Sequence, residues 1–269
     1  MKGLIIIRTY KNLVNKVLIE GTNKKTRQGI DTISLHGAIL EIDLRDGFPL
    51  LTTKKINFHN IVVETLWYLM GTDKITFLKD NNVNIWNDWA DMYDSIGPTY
   101  GYQWKRFNGN RAFDQIGNVV REIRMNPESR RLIVAGWNPL QTSEMQLPPC
   151  ITQLQFLSNG NALDLIVTQR SADIAVGVPY DIAEMALLLH IVSLLTNRIP
   201  GMLKFMYGDL HIYSDHVAGL TKQLKRFSFS KPILWAAPKE YKYLSDFKID
   251  DFKILNYSHG PFIKYNVHV

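Results

Sequence analysis

The sequence predicts a single domain in which helices and strands are mixed. Its 269 residues are enough for one substantial core, and 46% of them are hydrophobic against 21% charged, an ordinary balance for a globular protein. Helical and strand patterns follow one another without a steady βαβ repeat, which argues against a doubly wound fold. No internal repeat or Pro/Gly/Ser-rich linker divides the chain, so we expect one domain spanning residues 1–269.

The first half of the chain contains two predicted helices and one long strand. The first helix is predicted at Tyr10–Glu20 and ends at Gly21. A polar segment leads into a strand-like stretch, Thr32–Leu44, and a strong turn signal follows it at residues 46–49. The second helix, His59–Met70, is apolar around most of its circumference and is therefore expected to be buried.

Glu64 lies in the middle of this buried helix. An ionised carboxylate is rarely left in such a place without a partner. One interpretation is a glutamate at the helix edge or paired with an arginine. The other is a carboxyl group whose pKa is raised by desolvation, which suits proton transfer near neutral pH.

The second half is predicted to combine a hairpin with another buried helix. The patterns predict, in chain order, a helix at Gln115–Met125, a strand at Arg131–Asn138, a hairpin of Ile151–Leu157 with Ala162–Thr168, a helix at Asp181–Leu195, and strand pieces at Met202–Met206 and His211–Tyr213. Short strands and loops are expected after them. The sequence contains no GxGxxG motif and no P-loop, so nucleotide binding of those two types has no support.

Charge and hydropathy limit the partners of the chain. The net charge of +6 indicates anionic partners without choosing among them. The basic run at residues 222–226 would support nucleic acid, but no zinc spacing, basic zipper or aromatic RNA-binding motif accompanies it, so a solvated helix face is favoured and no metal site is expected. The densest apolar stretch, Ile182–Leu195, is too short to span a membrane, and the N-terminus lacks a signal-peptide pattern. We expect a cytoplasmic location.

Cys150 is the only cysteine of the chain. A single thiol cannot form an internal disulfide, so this residue is either a small buried hydrophobe or a reactive nucleophile. The stretches Gln169–Asp173 and Gly177–Asp181 follow it with a dense set of hydrogen-bonding and phosphate-binding side chains. This set favours the nucleophile.

A series of ordered motifs identifies a family that the chain resembles. They are Glu20-Gly21-Thr22 with Arg27; Asp46-Gly47-Phe48-Pro49 through Lys55; Glu64 through Leu69; Asn82 through Asp91; Gly97 through Trp104; Ser129-Arg130-Arg131; Pro149-Cys150; Gln169 through Asp173; Gly208 through His216; and Ile263 through Val269. In these motifs the chain resembles the thymidylate synthase family over nearly its whole length.

The resemblance implies a fold, an assembly and a reaction. The fold is α+β, with a mixed β-sheet packed by helices in a single domain. The assembly is a homodimer in which Arg131 and its neighbour Arg130 reach across to the phosphate site of the partner. The reaction adds a one-carbon unit from 5,10-methylenetetrahydrofolate, used as a co-substrate, to C5 of a pyrimidine nucleotide.

The resemblance also implies a role for each matched residue. Cys150 is the nucleophile that adds to C6, and Arg170 near it is expected to lower the pKa of the thiol. The implied positions of the others are the nucleotide 5′-phosphate for Arg27, Arg130, Arg131, Arg170 and Ser171; the sugar 3′-hydroxyl for His211 and Tyr213; proton transfer for Glu64; and the folate for Trp86, Trp89, Asp173, Gly177 and Val269, with Asp173 also counted at the substrate. The alternative for the tryptophans is core packing.

Two departures from the synthase pattern bear on the base. Ile151 follows the cysteine where synthases have histidine, and Asp181 stands where they have asparagine. The synthase asparagine donates to O4 and accepts from N3–H of uracil, whereas a carboxylate accepts from the N4 amino group of cytosine. An unmatched buried polar group costs about 1–3 kcal/mol. Asp181 with Glu184 also resembles a helix N-cap with a capping box, but asparagine caps equally well, so capping does not explain the aspartate.

The departures therefore favour a cytosine nucleotide. They are the pattern of the cytidylate and deoxycytidylate hydroxymethylases of the family, so we expect CMP or dCMP to be hydroxymethylated, with Asp181 among the catalytic residues. The alternatives are an enzyme that makes a methyl product, on dUMP or dCMP, and a non-catalytic protein that binds RNA through its basic surface. The sequence leaves ribose and deoxyribose open.

Overall fold

A computed structural model describes residues 6–26, 29–108 and 112–268, without the side chain of Ile6. Arg27 and Val269, both expected at the site, lie outside the described residues. Within these ranges the helices are α1 (Tyr10–Glu20), α2 (Phe58–Met70), α3 (Thr76–Asp80), α4 (Gly101–Arg106), α5 (Gln115–Met125), α6 (Gly177–Thr196) and α7 (Val217–Leu224). The strands are β1 (Ile6–Ile7), β2 (Thr22–Lys24), β3 (Thr32–Asp43), β4 (Ile133–Ala135), β5 (Ile151–Asn159), β6 (Ala162–Asp173), β7 (Ile199–Tyr213), β8 (Ile233–Ala236) and β9 (Phe252–Leu255).

In the described ranges, seven strands form one mixed sheet. Their order is β1-β3-β7-β6-β5-β4, and β2 pairs with β3 beside this line. β6 and β7 run parallel, whereas β3 with β7, β5 with β6 and β4 with β5 are antiparallel. β8 and β9 form a separate antiparallel pair. The predicted α+β class, with a mixed sheet and helices in a single domain, is confirmed.

One face of the sheet is buried under helices. Leu154, Val167, Phe205 and Leu40 are cross-strand neighbours on four consecutive strands, and each has an exposed fraction of 0%. Helix α6 contacts β6 and β7, and α1 contacts β3, on this face. Burial of each such side chain contributes about 1.5–3 kcal/mol, so this layer is the main part of the core.

The opposite face of the sheet is more exposed in the described part of the chain. The next cross-strand row, Gln153, Thr168, Met206 and Ile39, points away from the core because side chains alternate along a strand. Met206 is exposed and the other three are half-buried. This partly apolar face is open to a further layer.

Helix α6 is longer than the sequence suggested. It begins at Gly177, before Pro179, and its N-cap residue is Val176, which makes no side-chain cap hydrogen bond. Asp181 therefore lies inside the helix, and the interpretation of Asp181 as an N-cap with Glu184 as its capping-box partner is wrong. By length and composition alone, this 20-residue helix could cross a membrane. However, 78% of its apolar 18-residue stretch is buried inside the protein.

Strand β7 is continuous where two separate pieces were predicted. Gly208 lies between the two predicted pieces, within the continuous strand. A Cβ atom at Gly208 would stand 2.8 Å from the carbonyl oxygen of Arg170 on β6, so the glycine allows a close approach of two backbones. β4 covers only Ile133–Ala135 of the predicted Arg131–Asn138, although Leu132 and Gly136 beside it still hydrogen-bond to Phe156 and Thr152 of β5.

The basic run that ends α7 serves the fold as well as the surface. Lys222 and Lys225 are exposed. Arg226 instead donates to the carbonyl oxygens of Thr53 at 2.8 Å and Pro261 at 2.6 Å. The expected solvated helix face is thus formed by the two lysines, while the arginine ties the C-terminal segment to the loop before α2.

Candidate active site

Cys150 lies immediately before β5, where the start of that strand meets the middle of β6. Its carbonyl oxygen accepts the backbone N–H of Arg170 at 2.8 Å, and its own N–H donates to the hydroxyl of Tyr100 at 3.2 Å. The residue is half-buried and its thiol is free. The sheet and the α4 segment therefore hold the backbone of this residue from two sides.

The Arg170 side chain braces the loop that carries Cys150. Its Nε donates to the carbonyl oxygen of Pro149 at 3.0 Å and its Nη2 to that of Pro148 at 2.8 Å. The guanidinium also lies over the ring of Trp137, 5.5 Å from the ring centroid. Arg170 is exposed on the open face of the sheet, so some N–H groups of its guanidinium are available to an anion.

Burial decides the pKa of Cys150. Desolvation raises the pKa of the thiol, and the positive charge of Arg170 and a hydrogen bond with Tyr100 lower it, while the negative charge of Asp181 raises it again. The expectation that Arg170 lowers the pKa of the thiol agrees with this, but burial outweighs it and the net shift is upward. Desolvation of the buried thiolate raises the pKa by more than the charge of one exposed arginine lowers it.

Asp181 faces the site from the second turn of α6. Its Oδ2 accepts a hydrogen bond of 2.8 Å from Nε2 of Gln169 on β6. Desolvation raises the pKa of Asp181 to about 7, the Gln169 hydrogen bond lowers it, and the charges of Glu64 and Asp173 raise it further. Near neutral pH this carboxyl group therefore exists in both protonation states.

Ile151 belongs to the same part of the site. It is 2% exposed and pairs across the sheet with Gln169. Cross-strand partners share a face, so the isoleucine packs beside the amide that holds Asp181. Because Ile151 is apolar, it offers no hydrogen bond here, and Gln169 on β6 is the polar side chain that contacts Asp181.

Glu64 is buried in α2 and is hydrogen-bonded. Its Oε1 accepts from the hydroxyl of Tyr68 at 2.8 Å and from Nε1 of Trp86 at 2.7 Å, and the residue is 5% exposed. Among the described residues no lysine or arginine forms an ion pair with it, and it is not at a helix edge. The structural alternative considered for Glu64 is therefore wrong in both forms.

The two tryptophans expected at the folate differ in exposure. Trp86 is 6% exposed, and its ring centroid lies 5.7 Å from that of Trp89 and 5.4 Å from that of Tyr100. Trp89 is half-buried at the edge of this aromatic cluster. Trp86 thus both packs in the core and orients Glu64, whereas Trp89 keeps an accessible ring face.

Asp173 ends β6 and shapes the turn into α6. Its Oδ1 accepts from the backbone N–H of Ala175 at 2.8 Å and lies 3.6 Å from Nδ1 of His216. Lys54, 3% exposed, donates to the carbonyl oxygen of Ala175 at 2.7 Å, and desolvation lowers its pKa to about 8. Gly177 follows this turn, close enough to Asp181 that a Cβ atom would stand 3.5 Å from Oδ2.

His211 and Tyr213 end β7 beside the C-terminal segment. Their ring centroids are 5.2 Å apart, and His211 is the cross-strand neighbour of Asp173. The ring of His268 lies 4.6 Å from that of Tyr213, and its Nε2 is 2.9 Å from Oδ2 of Asp215. The C-terminal segment therefore lies against the two residues expected at the sugar.

The side chains around Asp215 could also hold a cation by their spacing. Ligand atoms of Asp215, His216 and His268 all lie within 4.8 Å of one another. The carboxylate is already used by His268 and by Asn266 at 3.0 Å. The absence of a metal stays a prediction.

Arg130 and Arg131 precede β4, the last strand of the sheet, and both are exposed. Ser171 lies half-buried on β6, one residue after Arg170. The predicted residues thus fall into two groups. Cys150, Asp181 and Glu64 surround one buried region, while Arg170 and the β4 arginines lie at the open face.

Comparison with protein-family models gives one match. The model of the thymidylate synthase family matches residues 8–269, which is almost the whole chain. The chain belongs to the thymidylate synthase family. This membership implies one-carbon transfer to C5 of a pyrimidine nucleotide with methylenetetrahydrofolate as co-substrate, and it confirms the family that the motifs indicated.

In this member of the thymidylate synthase family, three residues around the site were not predicted from the sequence. Tyr100 contacts the backbone of Cys150, and Gln169 holds Asp181. Glu184, interpreted only as a capping residue, is 2% exposed and hydrogen-bonded to Glu64. Tyr100 and Gln169 do lie in the matched motifs, so that signal could have found them, whereas no local signal pointed Glu184 toward Glu64.

Proposed function

We propose that this enzyme hydroxymethylates C5 of a cytosine nucleotide, CMP or dCMP, through a covalent adduct between Cys150 and C6. The observation that carries the proposal is the environment of Asp181. It is a carboxyl group held by Gln169, electrostatically coupled to Cys150, with a pKa of about 7.

Hydrogen-bond complementarity favours cytosine over uracil. Gln169 uses Oδ2 of Asp181, which leaves Oδ1 for the base. Cytosine offers an N4–H donor and an N3 acceptor, and one proton between Asp181 and N3 satisfies both, whichever of the two carries it. Uracil has N3–H and O4, so it needs Asp181 protonated, and above pH 7 a carboxylate would face O4. That mismatch costs about 1–3 kcal/mol, or about 5- to 150-fold in preference.

The same proton assists nucleophilic attack. As the sulfur of Cys150 bonds to C6, the C5=C6 electron pair moves toward C4 and the C4=N3 pair moves onto N3, which takes the proton of Asp181. C5 is then the nucleophilic carbon of an enamine. Because the charge of Asp181 raises the pKa of Cys150, pairing of Asp181 with the base also favours the thiolate.

The residues around the site fit a folate. Trp89 offers a half-buried aromatic face, and Asp173 has an oxygen, Oδ2, to accept from a pterin N–H. When bound, methylenetetrahydrofolate supplies the one-carbon unit. Trp86, Gly177 and Val269 complete the proposed folate-binding set.

Unpartnered buried atoms support a hydroxymethyl product. Within the described residues, Gln169 Oε1, Glu184 Oε1 and Tyr207 Oη are buried and have no hydrogen-bond partner. Buried polar atoms of this kind are usually satisfied by ordered water. A site that retains water favours its addition to the exocyclic methylene group over reduction to methyl.

The phosphate site and the dimer are proposed together. Arg170 is exposed on the open face of the sheet, and Arg130 and Arg131 at the sheet end are exposed too. The partly apolar face around Met206 suits a second copy of the chain. In such a homodimer the β4 arginines of the partner join Arg170, Ser171 and Arg27 around the 5′-phosphate, and His211 and Tyr213 bind the sugar.

The testing experiment is a mass-spectrometric product assay with methylenetetrahydrofolate and a mixture of CMP, dCMP and dUMP. We expect a gain of CH₂O on one cytosine nucleotide and no absorbance signal from dihydrofolate. A gain of CH₂ on dUMP would overturn the proposal in favour of a thymidylate synthase, and CH₂ on dCMP would indicate a methylase.

The variant Asp181→Asn tests the carboxylate directly. It should lose cytosine preference and gain relative activity on dUMP, because asparagine can donate to O4. The control is Asp80→Asn, the same chemical change at an exposed residue of α3. Unchanged cytosine preference in Asp181→Asn would show that the hydrogen-bond argument is wrong.

A further inference from the structure

Glu184 is a buried carboxyl group that the proposed reaction leaves without a role. It lies on α6, one turn after Asp181, and α6 packs against α2, which carries Glu64. It is 2% exposed and hydrogen-bonded to Glu64. A carboxyl in such a place is costly to maintain unless it is partnered or used.

The donors around Glu64 fix the position of the proton between the two carboxyl groups. The indole N–H of Trp86 can only donate, so Glu64 Oε1 is an acceptor there, and the Tyr68 hydroxyl donates to the same oxygen. A hydrogen bond between two carboxyl groups needs one proton. Two donors favour negative charge on Glu64, whereas Glu184 Oε1 has no partner in the described chain, so the proton is assigned to Glu184 as the donor.

The charged surroundings of Glu184 agree with this assignment. Desolvation, the charge of Glu64 and that of Asp181 all raise the pKa of Glu184. Tyr68 on α2 and Tyr180 on α6 are the other titratable groups coupled to it. The charges that act on Glu184 within the described chain are all negative, so no cation offsets a second negative charge at this pair.

We propose that Glu64 and Glu184 share a single proton and that Glu184 acts as the positioning residue that keeps Glu64 oriented and ready to accept a proton. The proposal rests on the proposed function for its kinetic consequence. In that reaction the C5–H bond would break after the one-carbon unit is attached: its electron pair forms the exocyclic double bond, the bond from the one-carbon unit to the folate nitrogen breaks with its electrons going to that nitrogen, and the proton passes to Glu64. Glu184 Oε1, which has no partner in the described chain, can pass a proton onward through water.

The pH dependence follows from the direction of the shift. Glu184 is neutral below its raised pKa and ionises as the pH rises, which would place two negative charges in contact. Turnover should therefore fall on the alkaline side as the pair loses its shared proton. Removing the titration of Glu184 should remove this alkaline limb of the pH–kcat profile.

The test compares Glu184→Gln with the wild type, using holoenzyme assays on the nucleotide that the wild type accepts. Glutamine still donates to Glu64 but cannot exchange a proton. We expect kcat to fall at least tenfold with KM within twofold, and the alkaline limb to disappear. Ser193→Ala on the same helix, also buried, should leave both unchanged. Wild-type kcat and an unchanged profile in Glu184→Gln would overturn the proposal.

An infrared pH titration separates this proposal from the proposed function. The wild type should show the C=O stretching band of a protonated carboxylic acid near neutral pH that Glu184→Gln lacks, with or without catalytic activity. If the wild type turns over no cytosine nucleotide but keeps this band, only the proposed function fails. If the band is the same in both proteins, the shared proton is refuted even when the enzyme is active.

Discussion

Replacing Asp181 with asparagine should stabilise the protein without substrate at neutral and alkaline pH. Burial raises the pKa of this carboxyl to about 7 from an ordinary value of 3.8. Between pH 3.8 and about 7 the folded state binds more protons than the unfolded state. The free energy of unfolding therefore falls as the pH rises through this range, and the stabilisation that comes from protonating Asp181 is lost above about pH 7. Asparagine does not titrate, and its amide oxygen can still accept from Gln169.

The magnitude follows from the size of the shift. About three pKa units correspond to an upper limit of about 4 kcal/mol between fully protonated and fully ionised Asp181. Asp181 keeps some solvent contact, and water screens part of that cost. We therefore expect the stability difference, variant minus wild type, to grow by about 1–2 kcal/mol from pH 5 to pH 8 and then to stay constant.

The assay is urea unfolding of both proteins at several pH values and one protein concentration, because the stability of the proposed homodimer would depend on concentration. Asp80→Asn should show no change across the same range, since this residue is exposed. A difference that does not depend on pH, or an Asp181→Asn protein less stable than wild type at pH 8, would refute the argument from desolvation.

Two further substitutions test the framework around Cys150. Tyr100→Phe removes the hydroxyl that lowers the pKa of Cys150. Alkylation of the thiol by iodoacetamide at pH 8 should therefore slow about tenfold. Equal rates in the two proteins would mean that the hydroxyl does not act on the thiol. Gly208→Ala places a Cβ atom 2.8 Å from the Arg170 carbonyl oxygen and should cost about 1–3 kcal/mol in urea unfolding. A Gly208→Ala protein as stable as the wild type would contradict the steric explanation.

The elements predicted with correct bounds are those with clear local end signals. Helix α1 begins after Thr9, whose side chain accepts from the N–H of Asn12, and it ends before Gly21. Helix α5 begins after Asp114, which caps Gly117. In both cases the sequence contains a capping residue or a breaker at the boundary, so tertiary contacts were not needed to locate it.

The boundaries that were missed depend on contacts between distant residues. Gly177 and Pro179 suggest a loop, but the first turn of a helix tolerates proline because its N–H groups have no partner within the helix. β7 continues through Gly208 because β6 lies against it. Neither condition can be read from the local pattern.

The identities of the site residues were easier to predict than their chemistry. Cys150, Asp181 and Glu64 were all singled out, and Cys150 and Asp181 are electrostatically coupled. The lowering of the Cys150 pKa by Arg170 was predicted, whereas the larger rise from desolvation was not, because burial is a property of the folded chain. The link between Glu64 and Glu184 joins two helices 120 positions apart in sequence, so no spacing rule connects them.

The close contact at Gly208 has a consequence for how this sequence can evolve. Three backbone segments lie in series: a Cβ atom at position 208 would meet the Arg170 carbonyl oxygen at 2.8 Å, and the Arg170 N–H donates to the Cys150 carbonyl oxygen at 2.8 Å. Any side chain at position 208 would push on that series and shift the nucleophile, although position 208 itself offers no group to a ligand. Descendants of this gene must therefore inherit the glycine, even where residues that face the ligand change.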